Sequence, residues 1–323
     1  MKKILLILTG GTICSFRDST GHNASDAGRA APILTELLRN SDSPVKDTEF
    51  DVIRPLDTLS ENMTVEKWNV LMDTLRQVDY SAYSGILIAH GTDTLHLTAP
   101  LLGVVMEGCP IPVGLVSSQR ILDDPEANGG ENFIRSVEYI AALSEHTESG
   151  EVNAGPVFTV YRNMDGVTYF HKGVSLLKCG DFSEDFFSVG MRTFEEALSQ
   201  IDRGNEEYSG GKTGEMPLLK MKPLRESVLV IEPYVGINYD NYDIGRVDHV
   251  LHLTYHSGTA DSERVAAFIE RCRKSGVDVY LAPVQADFRY STTAGLIDAG
   301  AKFMPGITMG EAYARLLLKD ALV

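Results

Sequence analysis

Almost continuous runs of apolar residues alternate with helical patterns along the first half of the chain. The runs that predict strands cover residues 4–9, 85–91, 111–118 and 156–161. Strands that are apolar at nearly every position are covered on both faces, as happens in a parallel sheet. The pattern therefore predicts an α/β domain with a doubly wound, mostly parallel sheet.

Helical spacing and end signals occur between these runs. One helix is predicted from Thr64, an N-cap residue followed by an early acid, to about residue 77. Two more are predicted at residues 95–106 and at about 131–143. Strands that alternate with helices indicate right-handed crossover connections.

The pattern weakens between residues 191 and 222, where glycines lie among charged residues, a composition typical of a linker. These glycines are Gly204, Gly210, Gly211 and Gly214. Regular periodicity then returns and predicts strands at 227–232, 250–255 and 277–282 and helices at 261–275 and 308–322. We therefore predict a larger N-terminal domain over residues 1–190, a linker over 191–222 and a smaller C-terminal α/β domain over 223–323.

The negative net charge of the chain limits which partners we expect. Its 29 Lys and Arg residues face 45 Asp and Glu residues, which gives a formal net charge of −16. Nucleic acids and anionic membranes attract an excess of Lys and Arg, so we expect neither as a partner. The four cysteines form no CxxC pair, and no His/Cys cluster is visible, so we expect no metal and no cofactor.

Scattered single cysteines are usual in a reduced cytosolic protein. The apolar run after Lys2-Lys3 is shorter than the core of a signal peptide and continues into a glycine turn. No run approaches the roughly 20 apolar residues of a membrane helix. We therefore predict a cytoplasmic location.

The first predicted strand ends in Thr9-Gly10-Gly11-Thr12. Glycines at a strand end can bring backbone N–H groups close to an anion, which would suit a phosphate. The stretch is neither GxGxxG nor a P-loop with its Gly-Lys-Ser/Thr, so a turn that presents the Thr12 hydroxyl is the other interpretation. The polar residues 15–29 that follow are predicted to form a long loop, either a lid or a surface loop without a role.

A second strand ends in His90-Gly91-Thr92-Asp93-Thr94, where a helix begins. Ligands bind at the carboxyl ends of strands in open α/β sheets. Asp93 or Thr94 alone could be only a helix cap, and we interpret His90 as structural. A threonine hydroxyl is a poor nucleophile without a nearby base, and a carboxylate next to it could orient a lysine for that purpose.

These two motifs resemble the signature motifs of the bacterial L-asparaginase family, in the same order and about 80 residues apart. The likeness extends over nearly the whole chain and is closest to the cytoplasmic, type I-like members. The other segments that carry it are Ser60-Glu61-Asn62-Met63-Thr64, Val116-Ser117-Ser118-Gln119, Asn128-Gly129-Gly130-Glu131-Asn132 and the final helix from Gly306.

The resemblance implies an amidohydrolase that converts L-asparagine to L-aspartate and ammonia, with catalysis in the N-terminal domain. Thr12 would be the nucleophile that forms an acyl-enzyme. Thr92, Asp93 and a lysine would form a second catalytic group. Lys172 is the lysine assigned by its place in the chain, with Lys178 as the fallback and an exposed surface lysine as the other interpretation of Lys172.

The resemblance also implies how the substrate is bound. Ser60 would hold its α-carboxylate, while Glu61 and Asp93 would hold its ammonium, since a free amino acid needs an opposite charge for each of its own. Backbone N–H groups of the glycine turn and near Ser118 would stabilise the oxyanion. The substrate-binding residues assigned in this way are Gly11, Ser60, Glu61, Gly91 and Ser118.

The chain departs from the family's pattern at three places. No tyrosine precedes Tyr80, although family members commonly carry one in the lid loop, where this chain has Phe16 and His22. Thr259 stands where the family has an amide side chain, and Glu61 stands where Gln or Ser is common. The family further implies a homodimer or a homotetramer.

Three functions are open on this basis. The first is an L-asparaginase with weak L-glutaminase activity, because one methylene is a modest discriminator. The second is a related amidase, including the glutaminase part of an amidotransferase, which usually has an extra N-terminal domain or a partner; we expect it less because residue 1 starts directly at the catalytic strand. The third is a non-catalytic ligand-binding homologue, against which the intact threonine motifs speak.

Overall fold

The structure is a computed structural model that describes residues 2–17, 20, 23–148, 156–202, 215–287 and 290–322. The chain divides into two compact units, Met1–Met221 and Lys222–Val323. The second unit begins one residue before the second domain predicted at 223. The glycines of the predicted linker lie outside the described residues.

The first unit contains a mixed sheet of seven strands among the residues described, in the order β4-β1-β5-β6-β7-β8-β9. Its first five members run parallel, and β8 and β9 run antiparallel to their neighbours. The strands of this sheet are β1 (Lys3–Leu8), β4 (Phe50–Ile53), β5 (Tyr83–Ala89), β6 (Val113–Val116), β7 (Val157–Arg162), β8 (Thr168–Lys172) and β9 (Arg192–Thr193), and β2 (Ser15–Arg17) and β3 (Asn23–Ser25) form a separate pair. The helices are α1 (Ala27–Arg39), α2 (Val65–Arg76), α3 (Leu95–Val105), α4 (Gly129–Glu148), α5 (Phe194–Asp202) and α6 (Pro217–Lys220).

The continuous apolar pattern of β1 reflects burial on both faces. Its residues Ile4 to Leu8 are all at most 3% exposed. Ile4, Leu6 and Leu8 belong to the core cluster that includes residues of α1 and α4, and the intervening side chains point to the other face. The mostly parallel α/β sheet predicted from this pattern is confirmed.

Two observations correct the sequence-based description of this unit. Residues 15–29 were expected to form one long polar loop, but the described part contains β2 paired antiparallel with β3 and the start of α1. His22 lies outside the described residues. The segment expected to be a linker contributes β9, α5 and α6 to the first unit, so only part of it connects the two units.

The second unit is a parallel sheet in the order β10-β11-β12-β13 with helices in the connections. Thr308 caps its last helix, because its hydroxyl accepts a hydrogen bond from the Glu311 N–H at 3.1 Å, as the capping-box spacing predicts. The strands are β10 (Val228–Ile231), β11 (His249–Leu253), β12 (Asp278–Val284) and β13 (Lys302–Pro305), and the helices are α7 (Ser262–Lys274), α8 (Ser291–Asp298) and α9 (Met309–Ala321).

The register between β1 and β5 determines where chemistry can occur. The two strands are adjacent and parallel, and Leu8 pairs with Ala89 at their carboxyl ends. The Thr9 N–H and hydroxyl both donate to the Ala89 carbonyl oxygen, at 3.1 and 2.8 Å. The two polar motifs therefore leave the sheet side by side.

Buried histidines make the first unit sensitive to acid. Burial lowers the pKa of His90 and of His96 to about 4 and that of His171 to about 3. The unfolded chain, with histidine pKa values near 6.5, binds more protons than the folded chain between these limits. Stability is therefore complete above about pH 6.5 and is lost as the pH falls towards 4.

We expect the free energy of unfolding to fall by about 1 kcal/mol per pH unit for each such histidine between pH 6.5 and 4. Urea titrations monitored by circular dichroism at several pH values measure it. The carboxylates whose pKa values are lowered, such as those of Glu66 and Asp79, contribute near and below their ordinary pKa values of 4.5 and 3.8, so the upper part of this interval belongs to the histidines. A free energy of unfolding that stays constant from pH 6.5 to 4.5 would contradict the expectation.

Candidate active site

The backbones of the two polar motifs touch at the carboxyl edge of the sheet. Gly11 has a φ of +80°, and a Cβ atom there would lie 2.2 Å from the Cα atom of Gly91. A Cβ atom on Gly91 would in turn lie 2.5 Å from the Ser60 side chain. Any larger residue at either glycine would force the motifs apart, so Gly11, Gly91 and Ser60 form one closely packed cluster.

The glycine turn leaves the Thr12 side chain available for a ligand, whereas the Gly11 N–H is used within the fold. The Gly11 N–H donates to the Thr58 carbonyl oxygen at 2.9 Å, and the Gly11 carbonyl accepts from the Cys14 N–H and the Ser15 hydroxyl, both at 2.9 Å. The Gly11 amide is therefore used within the fold and supplies neither a phosphate cradle nor the expected oxyanion donor. The half-buried Thr12 hydroxyl has no hydrogen-bond partner among the described residues.

Ser60 binds the second motif through several hydrogen bonds. Its buried hydroxyl donates to the Asp93 carboxylate at 2.8 Å and accepts from the Asp93 N–H at 3.2 Å. The Thr94 hydroxyl donates to the Ser60 carbonyl oxygen at 3.0 Å. The hydrogen bonds of the Ser60 hydroxyl with Asp93 thus fix the position of the Asp93 carboxylate. A contact of Ser60 with substrate stays a prediction.

Lys67 stabilises the loop around Ser60 through two hydrogen bonds. Its ammonium group donates to the Asn62 carbonyl oxygen at 2.6 Å and to the Thr58 hydroxyl at 2.8 Å. Glu61 lies in this loop with an exposed side chain, and Asp93 is also exposed. Two carboxylates are therefore available to solutes at this edge, as pairing with an ammonium group requires.

A cavity of ≈ 280 Å³ opens beside the second motif. Its lining includes Thr92 and Asp93 from the motif, Lys178 and Glu184 from the segment after β8, and Tyr161 from the end of β7. The Thr92 hydroxyl, like that of Thr12, has no partner among the residues the structure describes. A hydroxyl, a carboxylate and an amine thus line one cavity, which is a suitable set for proton transfer.

The structure does not bring Lys172 to this cavity. Since β8 runs antiparallel to β7, Lys172 pairs with Phe158, near the start of β7, and not with Arg162 at its end. Four residues of strand separate these positions, roughly 13 Å at about 3.3 Å per residue. Lys172 therefore lies towards the edge at which the parallel strands begin, and the lysine at the opposite edge is the fallback, Lys178.

The chain reaches the cavity by turning back along α3. Gly173 packs on the Ala99 carbonyl, and Val174 packs on Gly103, where added Cβ atoms would lie 2.9 and 2.5 Å from their neighbours. Lys178 then lies close enough to His96, in the first turn of α3, for its charge to contribute to the lowered pKa of that histidine. Burial is the larger cause, so His96 stays neutral beside Lys178.

His90 and Ser118 have structural partners. The ring of His90 is fully buried, with Nδ1 2.7 Å from the Gly91 carbonyl oxygen. The Ser118 hydroxyl accepts from the Gly129 N–H at 3.1 Å and donates to the Arg120 carbonyl at 2.5 Å. The Ser118 side chain therefore organises the turn before α4, so a role in substrate binding would fall to its backbone.

Sequence reasoning did not single out Tyr161 as a functional residue. It is the last residue of an apolar run in β7, and period-2 alternation places it on the face shared with Thr159. Only the return of the chain to Lys178 turns that position into part of a cavity. No group of three or more His, Cys, Asp or Glu residues suited to a metal ion occurs in the described ranges, nor does a helix there have the length and apolarity to cross a membrane.

Comparison with known proteins identifies the type of the N-terminal domain. Residues 3–155 match the sequence model of the N-terminal domain of asparaginases, and this segment contains both polar motifs. These residues form an asparaginase-type N-terminal domain. The matched segment also contains the contact between Gly11 and Gly91 and the loop around Ser60.

Curated relatives include components of a multi-subunit enzyme. One component of the glutamyl-tRNA(Gln) amidotransferase of Methanobrevibacter smithii is 28% identical over 239 residues, 73% of this chain and 51% of that protein. The corresponding amidotransferase component of Aeropyrum pernix is 27% identical over 332 aligned positions, 98% of this chain and 74% of that protein. The chain spans about half the length of the first of these relatives.

Solved asparaginase structures share the fold over their whole length. L-asparaginase I from Vibrio cholerae has a TM-score of 0.70 at 22% identity, covering 99% of this chain and 93% of that one. The thermostable L-asparaginase from Thermococcus kodakarensis has a TM-score of 0.67 at 17% identity with the same coverage. At these identities the likeness establishes the asparaginase-type fold and no more.

Proposed function

We propose that the protein hydrolyses L-asparagine to L-aspartate and ammonia. The observation that carries the proposal is the cavity of ≈ 280 Å³ that Thr92 and Asp93 share with Lys178, next to the contact between Gly11 and Gly91. A cavity of this size suits a single amino acid. The exposed carboxylates of Glu61 and Asp93 suit the ammonium group of a free amino acid and would repel an acidic one.

In this mechanism Thr12 attacks the side-chain amide carbon. Its hydroxyl proton passes to the departing nitrogen, which leaves as ammonia, and the threonine oxygen keeps the acyl group as an ester. Water then adds to the ester, and the Thr12 hydroxyl is restored as L-aspartate leaves. Thr92 and Lys178 relay the protons in both steps, and Asp93 orients the substrate while Ser60 holds Asp93.

A second candidate is the glutaminase step of an amidotransferase. It is favoured by the curated relatives, which are amidotransferase components. The net charge of −16 disfavours binding of tRNA by this chain itself, because phosphate binding needs an excess of basic residues. A protein with that function would therefore depend on another chain to bind the tRNA.

Ammonia release from L-asparagine, L-glutamine and D-asparagine tests the proposal. We expect kcat/KM for L-asparagine to exceed that for L-glutamine by roughly 10- to 200-fold, the discrimination that one methylene supplies. Thr92→Val keeps the side-chain shape and removes the hydroxyl, so this variant should release almost no ammonia and serves as the blank.

The outcomes separate the candidates. A higher kcat/KM for L-glutamine would favour the amidotransferase candidate. No release from any of the three amides would contradict both enzymatic functions and favour a ligand-binding protein. Full activity of Thr92→Val would remove the second motif from the mechanism.

Location and assembly belong to the same proposal. We infer a cytoplasmic enzyme that forms a homodimer or homotetramer, as the family resemblance implies, with no cofactor and no nucleic-acid partner. Light scattering after size-exclusion chromatography gives the mass directly, because one chain weighs 35.4 kDa. A mass near that of one chain would contradict the assembly.

A further inference from the structure

The cavity beside Thr92 contains a polar group that the mechanism above does not use. Tyr161 is fully buried at the end of β7 and lines the cavity together with Thr92, Asp93 and Lys178. Its ring packs edge-on against Phe186, with the ring centroids 4.9 Å apart. Its hydroxyl has no hydrogen-bond partner in the described part of the chain.

The hydroxyl of Tyr161 is a donor without an acceptor. Burial is the larger influence and raises the pKa of Tyr161 well above its ordinary value, while a contact with the Asn128 side chain acts in the opposite direction, so the phenol keeps its proton at neutral pH. The Asn128 oxygen accepts from the Gln119 N–H at 3.0 Å and its nitrogen donates to the Arg162 carbonyl at 2.8 Å, and neither accepts the phenolic proton. The described residues therefore offer no acceptor for that proton.

An unpaired buried hydroxyl destabilises a folded protein, because it loses its hydrogen bonds with water and gains none in return. Phenylalanine would fill the same position against Phe186 without this loss. The Tyr161 hydroxyl thus has no structural use that the described residues show. The residue itself lines the cavity together with Thr92, Asp93 and Lys178.

Tyr139 provides an internal comparison. It too is fully buried with an unpartnered hydroxyl among the residues described. It lies on α4, in the core cluster on the other face of the sheet, and its ring packs 4.7 Å from that of Phe158 and 4.6 Å from that of Phe170. The two tyrosines are alike in burial and in their lack of a partner, and differ in that Tyr161 lines the cavity of the second motif whereas Tyr139 does not.

We propose that the Tyr161 hydroxyl donates a hydrogen bond to an oxygen atom that enters this cavity during turnover, and so positions it for Thr92 and Lys178. The acceptor is either an oxygen of the bound amino-acid substrate or the water molecule that hydrolyses the acyl-enzyme. This inference rests on the proposed amidohydrolase function, since it assigns a further residue to that same site.

The test compares Tyr161→Phe with Tyr139→Phe and wild type. Each variant removes one unpartnered buried hydroxyl and keeps the ring, so both should have an unfolding midpoint equal to or above that of wild type. Tyr161→Phe should lower kcat/KM for the best amide substrate by roughly 10- to 100-fold, the effect of losing one preplaced donor. Tyr139→Phe should leave kcat and KM within about twofold of wild type.

The distribution of the loss identifies the acceptor. If the hydroxyl binds the substrate, KM rises more than kcat falls. If it positions the hydrolytic water, kcat falls without a rise in KM, and mass spectrometry of the protein quenched during turnover detects the acyl-enzyme at a higher fraction in Tyr161→Phe than in wild type. Either pattern supports the proposal.

Three results would overturn it. Kinetics of Tyr161→Phe equal to those of Tyr139→Phe, with an active wild type, would remove Tyr161 from the site and leave the proposed function intact. An unfolding midpoint several degrees lower for Tyr161→Phe alone would show that the hydroxyl is structural. A wild type that releases no ammonia from any amide would overturn the proposed function itself, and this assignment with it.

Discussion

Thr12→Val is expected to reduce kcat for L-asparagine by about a thousandfold or more, while the protein folds as wild type does. The variant keeps the branched shape and removes the nucleophilic oxygen, and losses of that order are usual when a nucleophile is removed. The free energy of unfolding should change little, because the Thr12 hydroxyl has no hydrogen-bond partner among the described residues. Steady-state kinetics and urea titration measure the two quantities.

Thr9→Val is the matched control, three residues earlier in the same turn. The Thr9 hydroxyl is buried and donates to the Ala89 carbonyl oxygen at 2.8 Å, so its loss should lower the free energy of unfolding by about 1 kcal/mol. Its activity should stay near that of wild type, since this hydroxyl holds β1 to β5. Equal loss of activity in both variants would mean that the Thr12 hydroxyl supports the turn and is not the nucleophile.

The second prediction with a large effect compares the replacement of Lys178 with that of Lys172, six residues earlier. Lys178→Met should lower kcat by about a thousandfold, because it removes the amine that shares a cavity with Thr92 and Asp93. Lys172→Met should change kcat by less than about threefold, because Lys172 pairs with Phe158 towards the opposite edge of the sheet. Methionine matches the length and the flexibility of the lysine stem in both places.

The reverse result would contradict the assignment. A large loss of kcat in Lys172→Met, with a normal kcat of Lys178→Met, would return the role to Lys172. It would also require that the antiparallel pairing of β7 and β8 be absent from the active enzyme.

Most of the fold could be predicted from the sequence, because it depends on local periodicity. Runs such as β1 are apolar at every position because both faces of the strand are buried. Thr308 marks the start of α9 because its hydroxyl accepts a hydrogen bond from Glu311, only three residues later in the sequence. The strands and helices with weaker periodicity were not predicted. They include β2 and β3, which lie in a polar stretch and pair with each other, and β9, which lies in the expected linker.

The two threonine motifs were also accessible from the sequence, and the reason is again geometric. Each follows a strand, and carboxyl ends of neighbouring parallel strands share one edge. Their contact further required that β1 and β5 be adjacent, which the resemblance implied and the register of Leu8 with Ala89 establishes. The residue types and their spacing therefore predicted that the two motifs meet, though not what each side chain contacts.

By itself the sequence determined an acidic α/β chain with an asparaginase-type N-terminal domain and with Thr12 and Thr92 at strand ends, because periodicity and glycine turns are local properties. Only the tertiary structure shows which lysine shares a cavity with Thr92. The direction of β8 carries Lys172 away from the motif edge, and the return along α3 brings Lys178 to it. Strand direction and chain reversal follow from packing between distant segments. The same packing places Tyr161 in the cavity lining and pairs the Gly11 N–H with the Thr58 carbonyl oxygen.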